Sequence, residues 1–545
     1  LFLKLPIAAS PAWKFGLVSV ITSSLTVVFI YLITHLITKE RFLSLTTAFL
    51  VAFAFPFWLY AETVEVISLL NLFIVSIVFF TLKYVLEEKK KYLYILAFIL
   101  GLSLTNNQLI LLIFPSVFFT VLFANWKIVK DVRSILLLIL LFIIGLSPYI
   151  YIPWAAGQNP EINWGAAVNL ENVVSLITRK QYGWEVRSDI KQFDKFLIFW
   201  NFKTYLTYWK THLSGLILFL PILLGFLYLI RKAKFLLLFF LGLTFFLLGP
   251  FFIFYAPATL SSYANIAVHE KFYLSSILIS LIFFPLGVLL LKESILTLPI
   301  RSILKRRIPL AVNVIILILP LTFFLKNVRK TDLGNIYVGD NFALDMLVTL
   351  PKDSVLLLED DSRVFSVMYV KYGLGIRRDI AVPGKNDGYK VFLEKSGMTS
   401  GEVKDYMTKN KNTIDKNLFF SVLPLLIKDG NVYIDQKLEI NDSKYGRIIS
   451  IPYGLLYKLE IENSLNLTKE KYLREVERMS KSYHLDHIIK NNDLISEHLH
   501  FSHMRRWYAL GFLDIAKFIE IKYDDQVLSA KHLKRAKEID PLLEI

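Results

Sequence analysis

The chain contains no cysteine among its 545 residues. Disulfide bonds, thiolate chemistry and cysteine metal sites are therefore excluded. A phosphate-cradling glycine loop, a zinc-ligand spacing and a nucleophile elbow are also missing from any context that would suit them. The absence of a nucleotide-binding loop argues against an ATP-driven transporter.

Charge is missing from several long stretches of the sequence. The residues 213–230, 235–254 and 272–291 contain no Asp, Glu, Lys or Arg, and 55% of the whole chain is hydrophobic. A helix that crosses the hydrocarbon core of a bilayer needs roughly 20 apolar residues, and helices are expected because backbone amides find no water there. The pattern predicts about ten membrane spans, at residues 17–37, 42–59, 64–82, 92–104, 108–124, 134–153, 213–230, 235–254, 272–291 and 308–325.

The net charge of +16 could suggest a nucleic-acid partner, but much of the excess lies in short loops between apolar runs. Loops after the odd-numbered spans are rich in Lys and Arg, and the short loops on the other side carry almost none. Cytoplasmic loops of membrane proteins are enriched in these residues. The sequence therefore predicts no nucleic acid. It also predicts that the loop 154–212 and everything after about residue 326 lie outside the cytoplasm.

The last two-fifths of the sequence has the composition of a water-soluble domain. Short apolar runs at 354–358, 380–382, 418–422, 432–434 and 447–451 are predicted strands, and a helical pattern follows Asp360. From residue 469 onward the pattern is helical, and the stretch from Trp507 to Pro541 resembles one tetratricopeptide unit. We therefore expect three domains: 1–326 in the membrane, 327–465 of α/β class outside the cytoplasm, and 466–545 ending in a tetratricopeptide-like helical hairpin.

Two carboxylates, Glu62 and Glu65, lie where the third span begins. Acidic residues inside a membrane are costly and usually face a cavity. For Glu62 the sequence leaves two readings open, a solvated acid in a short loop or a site residue. Glu65 lies about one helical turn deeper, on the same helix as Asn71, and we favour a role facing a cavity.

Other polar residues cluster at the same predicted outer face. Asn106 and Asn107 lie between two very short spans, where their amides could bind a polar group or simply form a turn. Asn163, Trp164, Arg179, Gln181 and Tyr182 follow the sixth span, where aromatic rings and a guanidinium suit a sugar or a phosphate headgroup. An aromatic belt at the membrane surface explains this group equally well. His269 and Lys271 precede the ninth span and are either surface residues or cations directed at a lipid phosphate.

These segments, in this order, resemble a family of membrane glycosyltransferases with the GT-C fold that are related to transmembrane protein 260, a protein O-mannosyltransferase. The resemblance covers residues 1 to about 185. It is carried by FWLYAETVEVISLLNLF, by GLSLTNNQLILLIFP, and above all by LSPYIYIPWAAGQNPEINWGAAVNLENVVSLITRKQYG. Weaker likenesses are HEKFYLSS, VLLLEDDSRVFSVMYVKYGLGIRRD and IPYGLLYKLE.

The resemblance implies inverting transfer of a sugar from a polyprenyl-phosphate donor to a protein or glycan acceptor at the outer membrane face. It also implies an acidic catalytic residue in the first outer loop, before the segment that LFLKLPIAASPAW matches. Because the chain begins at Leu1 and not at Met, we expect that residue to lie upstream of Leu1. Glu65 and Glu62 would then support the reaction, and the polar residues named above would bind substrate.

Two departures from the family leave the acceptor type open, and mannose should not be assumed as the sugar. Relatives often have His after the Asn of the second segment and Arg where this chain has Lys271. Nothing in the sequence requires a cofactor, and a divalent metal stays possible in principle. Two other functions remain open as well. A flippase for lipid-linked sugars would need polar residues along a path through the bilayer, and a non-catalytic scaffold would use its spans only as an anchor.

Overall fold

The structure is a computed structural model that describes residues 2–158, 160–178, 180, 195–213, 216–260, 263–297, 302–382, 393–394, 396–410, 416–442, 446–465 and 467–544. The chain divides into two compact units. The first comprises Leu1–Tyr149 and Gln192–Gly334, and the second comprises Ile150–Lys191 and Asn335–Ile545. Arg179, Gln181 and Tyr182 lie outside the described residues.

The first unit is helical. Its helices are α1 (Pro11–Thr38), α2 (Arg41–Phe53), α3 (Phe55–Glu62), α4 (Val66–Glu87), α5 (Lys90–Leu104), α6 (Phe114–Ala124), α7 (Val132–Gly145), then, after two short helices of the second unit, α10 (Lys195–His212), α11 (Leu216–Arg231), α12 (Phe235–Phe246), α13 (Phe252–Tyr255), α14 (Tyr263–Leu281), α15 (Phe283–Thr297) and α16 (Ser302–Thr331). Their apolar side chains form one continuous buried cluster that runs from Ile30 to Phe323.

Five helical segments of the described chain are long and apolar enough to cross a membrane, and three bent helix pairs raise the number to eight. The prediction of about ten spans differs because α5 has only 15 residues and α6 only 11. At about 1.5 Å per residue neither reaches the roughly 30 Å of a hydrocarbon core. The chain nevertheless has the helices of a multi-pass membrane protein.

The second unit contains a five-stranded mixed sheet in the order β1-β2-β5-β4-β3. The strands are β1 (Val355–Leu357), β2 (Val432–Ile434), β3 (Ile440–Asp442), β4 (Gly446–Pro452) and β5 (Tyr457–Ile461). Strands β1 and β2 are parallel, and the other pairs are antiparallel. The sheet confirms the predicted strands around residues 355, 432 and 447, whereas 380–382 contributes only an isolated bridge between Ala381 and Val355.

Helices cover both faces of this sheet. The helices of this unit are α8 (Tyr151–Gly157), α9 (Leu170–Ile177), α17 (Val338–Thr349), α18 (Asp361–Met368), α19 (Ser400–Lys409), α20 (Lys416–Asp429), α21 (Lys469–Lys481), α22 (Leu485–Lys490), α23 (Asn492–Ser496), α24 (Leu499–Tyr523) and α25 (Gln526–Ile539). Side chains alternate along a strand. Accordingly Leu356 packs with the cluster around α17 and α24, and its neighbours Val355 and Leu357 pack against α20.

The predicted strand at 418–422 is wrong, because these residues belong to helix α20. Its buried residues Leu423, Leu426 and Ile427 lie at helical spacing and pack against the sheet. The periodicity of a short apolar run does not by itself distinguish a strand from a buried helix.

The helices α24 and α25 form the last helical hairpin of the described chain. Its likeness to a tetratricopeptide unit, the three domain boundaries and the extracytoplasmic location stay predictions.

Candidate functional site

A break in the second predicted span creates the local geometry of the site. Helix α2 ends at Phe53, and Pro56 lies in the first turn of α3, where its missing N–H costs nothing. The two helices are bent by 62°. After α3 the chain is extended at Glu65, with φ −141° and ψ 150°, and α4 begins at the next residue. Glu65 therefore lies at the positive end of the α4 dipole, where a carboxylate is favoured.

Three side-chain contacts join α3 and α4 to α14. The Tyr60 hydroxyl donates to Glu270 Oε1 at 2.9 Å, and the Ser275 hydroxyl donates to Asn71 Oδ1 at 3.0 Å. Between them, Lys271 Nζ donates to Glu65 Oε1 at 2.6 Å. The Tyr60–Glu270 and Asn71–Ser275 contacts are buried. The Lys271–Glu65 pair is more accessible, since the side chains are 16% and 25% exposed.

Asn106 adjoins this group. Its side-chain amide donates to the backbone oxygen of Val66 at 3.1 Å, one residue after Glu65. The Ser68 hydroxyl also donates to the backbone oxygen of Tyr60 at 2.7 Å and so ties the start of α4 to α3. The structure therefore brings together Glu65, Asn106 and Lys271 of the residues that the sequence singled out. The role that each plays there is a proposal.

Several other predicted site residues occupy ordinary structural positions. Glu62 is exposed and accepts a hydrogen bond from the Trp58 indole at 2.7 Å. Asn107 caps the short helix Gln108–Ile113, where its side chain accepts from Leu109 N. His269 lies beside the rings of Phe252 and Phe272. The functional role of each of these residues stays a prediction.

Asn163 and Trp164 lie in the second unit. The Asn163 amide donates to the backbone oxygen of Ala156 at 3.3 Å, and the Trp164 ring stacks against Phe365 with centroids 6.0 Å apart. Nearby, Glu161 forms an exposed ion pair with Arg378. Each of these contacts lies within that unit, so they explain the local packing of this segment and identify no ligand.

The sequence reasoning missed Glu270 as a separate feature, although it is the buried residue of His269-Glu270-Lys271. Tyr60 is the one hydrogen-bond donor to its carboxylate among the described residues. The aromatic side chains Tyr208 and Tyr273 lie close by and pack edge to face. The available signal was helical spacing: Lys271 and Ser275 are four residues apart and therefore share one face of α14, and Glu270 lies on another.

The site offers charge and hydrogen-bond donors and no metal centre. Within the part of the chain that the structure describes, no three His, Asp or Glu side chains converge in a way that could hold a metal ion. A partly exposed ammonium, a carboxylate and an amide at one end of the helices could bind an anionic headgroup.

Comparison with known sequences identifies related proteins. Residues 1–130 match the Protein O-mannosyl-transferase TMEM260 N-terminal domain. Protein O-mannosyl-transferase tmem260 of Dictyostelium discoideum is 26% identical over 189 residues, which are 32% of this chain and 23% of that protein. Protein O-mannosyl-transferase TMEM260 of Mus musculus is 26% identical over 343 residues, 60% of this chain and 46% of that protein.

The chain spans less than half the length of these two curated relatives. No solved structure is significantly similar to it. The matched domain contains Glu65 and Asn106, and the longer alignment extends over more than half of the chain. The resemblance to the TMEM260 family that the sequence motifs indicated is therefore confirmed.

Proposed function

We propose that the chain is the membrane part of a glycosyltransferase that moves a sugar from a polyprenyl-phosphate donor to an acceptor outside the cytoplasm. The relatives are named protein O-mannosyl-transferases, which favours a hydroxyl of a protein as the acceptor and mannose as the first sugar to test. A GT-C architecture, inversion at the anomeric carbon and the outward orientation of residues 154–212 and 327–545 belong to the same proposal.

The Lys271–Glu65 pair is the observation that carries this proposal. It joins the start of α4 to α14, is only partly exposed, and adjoins the Asn106 amide. A fixed ammonium in a partly dehydrated site stabilises negative charge that develops on a leaving phosphate. The donor's lipid chain would remain in the bilayer beside the helices, so that its phosphate meets the site at the membrane surface.

The proposed reaction is one displacement. The acceptor oxygen forms a bond to the anomeric carbon while the bond from that carbon to the phosphate oxygen breaks, and polyprenyl phosphate leaves. The hydroxyl proton passes to a carboxylate of the protein. Lys271 and Asn106 hold the phosphate, and no step requires a group beyond the protein and its two substrates.

The test is transfer from a labelled polyprenyl-phosphate mannose to a Ser- and Thr-containing peptide by the full-length protein in proteoliposomes. Lys271→Met should lower kcat by roughly 10²–10³-fold, the usual loss when one donor to a developing oxyanion is removed. The matched control is Lys232→Met, because Lys232 forms a comparable pair with Glu293 at 2.9 Å between α11 and α15. The proposal fails if the wild-type protein transfers no sugar from any polyprenyl-phosphate donor, or if the two lysine variants are equally active.

A further inference from the structure

The ammonium that is proposed to bind phosphate already has a counter-ion. Lys271 Nζ lies 2.6 Å from Glu65 Oε1, and most of both side chains is shielded from water. A charged group that has lost much of its hydration needs an opposite charge or hydrogen bonds in return. In this structure Glu65 provides that charge, so an incoming phosphate meets an ammonium that is neutralised.

The surrounding contacts keep the helices together without this pair. Tyr60–Glu270 and Asn71–Ser275 lie on either side of it, and all four side chains are buried. The Ser68 hydroxyl adds a bond from the start of α4 to Tyr60. Three bonds therefore hold α3, α4 and α14 in place when Lys271 and Glu65 separate. The pair is the accessible contact among those that link α14 to α3 and α4.

A carboxylate and a phosphodiester compete for the same ammonium. Each carries one negative charge, and two like charges a few ångströms apart repel each other strongly in a partly dehydrated site. One lysine neutralises only one of them. A lipid phosphate bound at Lys271 would therefore drive the Glu65 carboxylate away, while the Tyr60–Glu270 and Asn71–Ser275 bonds keep the helices in register.

We propose that the donor phosphate replaces Glu65 as the counter-ion of Lys271, and that the released carboxylate then accepts a hydrogen bond from the acceptor hydroxyl. Binding of the sugar donor thus separates Lys271 from Glu65, and the sugar donor binds before the acceptor. The substrate class in this inference rests on the proposed function. The exchange itself concerns only a phosphate on a lipid and two residues of this chain.

The exchange is tested by binding of a polyprenyl phosphate without sugar to the full-length protein in nanodiscs. Glu65→Gln removes the competing charge and should tighten binding by about twofold to fivefold, the range expected for a partly exposed ion pair. Lys271→Met should weaken it roughly 10-fold or more, as expected for the loss of a charged hydrogen bond. The double variant should bind no more tightly than Lys271→Met.

Transfer kinetics supply the second readout. Glu65→Gln should lower the KM for the donor and raise the KM for the acceptor, whereas a merely structural role would raise both together. Glu293→Gln is the matched control, because its carboxylate pairs with Lys232 away from the site, and it should change neither KM.

The exchange is overturned if Glu65→Gln binds polyprenyl phosphate no more tightly than Glu293→Gln, even when the wild-type protein transfers sugar. Conversely, the predicted binding pattern in a protein that transfers no sugar would reject the proposed enzymatic function and retain the exchange. Weak binding of the phosphate to all forms, independent of Lys271, overturns the exchange directly.

Discussion

The Lys271–Glu65 pair of the helical unit and the Arg363–Asp435 pair of the sheet unit are both contacts between a cation and a carboxylate. Lys271 and Glu65 are 16% and 25% exposed. Arg363 and Asp435 are each 2% exposed, and Arg363 Nη1 lies 3.6 Å from Asp435 Oδ2. The same charges are thus accessible at one end of the membrane helices and enclosed beside the sheet.

Neighbouring groups fix both side chains of the Arg363–Asp435 pair. Asp435 Oδ2 accepts from the backbone N–H groups of Glu359 and Asp360 at 3.1 and 3.2 Å, where β1 leads into α18. Arg363 donates to the backbone oxygen of Asp435, and its guanidinium lies 3.7 Å from the centre of the Trp507 ring. Burial lowers the pKa of Arg363, and the Asp435 charge opposes that shift. The Arg363–Asp435 pair therefore stabilises the connection between β1 and α18.

The contrast separates a structural ion pair from an exchangeable one. Asp435 is held by backbone donors, so its charge cannot move without opening the β1–α18 connection. The Lys271–Glu65 contact joins two side chains only, and the buried Tyr60–Glu270 and Asn71–Ser275 bonds beside it hold the helices. Four predictions test this difference, from the largest expected effect to the smallest.

Removal of one charge from the enclosed pair should have the largest effect. Asp435→Asn leaves the Arg363 charge buried without compensation, and we expect a loss of roughly 3–5 kcal/mol in the free energy of unfolding. Hydrogen exchange at the backbone amides of Glu359 and Asp360 should also become faster in this variant. Glu439→Gln is the control in the same sheet, because its ion pairs with Lys437 and Arg447 are exposed. Equal stability of the two variants would contradict the assignment of Arg363–Asp435 as a locked pair.

Loss of a neutral link beside Glu65 should cost less. Ser275→Ala leaves the buried Asn71 carbonyl oxygen without its donor, with an expected loss of about 1–3 kcal/mol. The thermal midpoint of the protein in detergent measures this change. Ser24→Ala, at an exposed position of α1, should leave the midpoint unchanged. If Ser275→Ala also left the thermal midpoint unchanged, the Lys271–Glu65 pair itself would have to hold the helices together. That result would contradict the distinction between the two ion pairs.

Neutralising Glu65 should barely change stability. Partly exposed ion pairs contribute about 0.2–1 kcal/mol, so Glu65→Gln should shift the same thermal midpoint by less than Ser275→Ala does. A shift as large as that of Asp435→Asn would make Lys271–Glu65 another structural pair.

A third pair is about as accessible as Lys271–Glu65 and tests the role of hydrogen bonding. Arg377 and Asp379 are 22% and 24% exposed, close to Lys271 and Glu65. However, the Arg377 guanidinium also donates to the backbone oxygens of Leu347, Leu350 and Pro351 at the end of α17. Its hydrogen bonds lower the pKa of Asp379 to about 2.

Because the folded pKa of Asp379 lies below the unfolded value of about 3.9, its stabilisation is complete above about pH 4 and is lost as the pH falls toward 2. The thermal midpoint of Asp379→Asn should therefore lie below that of the wild type at neutral pH, and the difference should shrink between about pH 4 and about pH 2. A difference that is constant over this range would show that the carboxylate charge is not what stabilises the end of α17.

The sequence predicted the parts of this fold that depend on local patterns. Long apolar runs located the membrane helices α1, α4, α12 and α16. The helix predicted after Asp360 is α18, and the Asp360 side chain caps it by accepting from Arg363 N. The sequence did not distinguish helix α20 from a strand, because an apolar run of five residues is compatible with both. The sequence also predicted too many membrane spans, because hydropathy does not show whether a helix is long enough to cross the whole membrane.

The sequence singled out the residues of the proposed site but not the contacts between them. Glu65, Asn106 and Lys271 stand out as polar residues next to apolar runs, but residues 206 positions apart meet only through tertiary packing. Glu270 was overlooked because its burial depends on Tyr60, which reaches it from another helix. Asn107, Glu62 and His269 have the same local sequence signal as Glu65, Asn106 and Lys271, and their predicted roles stay predictions.

Sugar transfer by the full-length protein in proteoliposomes tests the central claim most directly, with the wild type compared with Lys271→Met and with the control Lys232→Met. The account predicts transfer from a polyprenyl-phosphate sugar by the wild type and by Lys232→Met, and a rate for Lys271→Met that is lower by roughly 10²-fold or more. Equal rates for all three proteins, or no transfer by any of them, would contradict it.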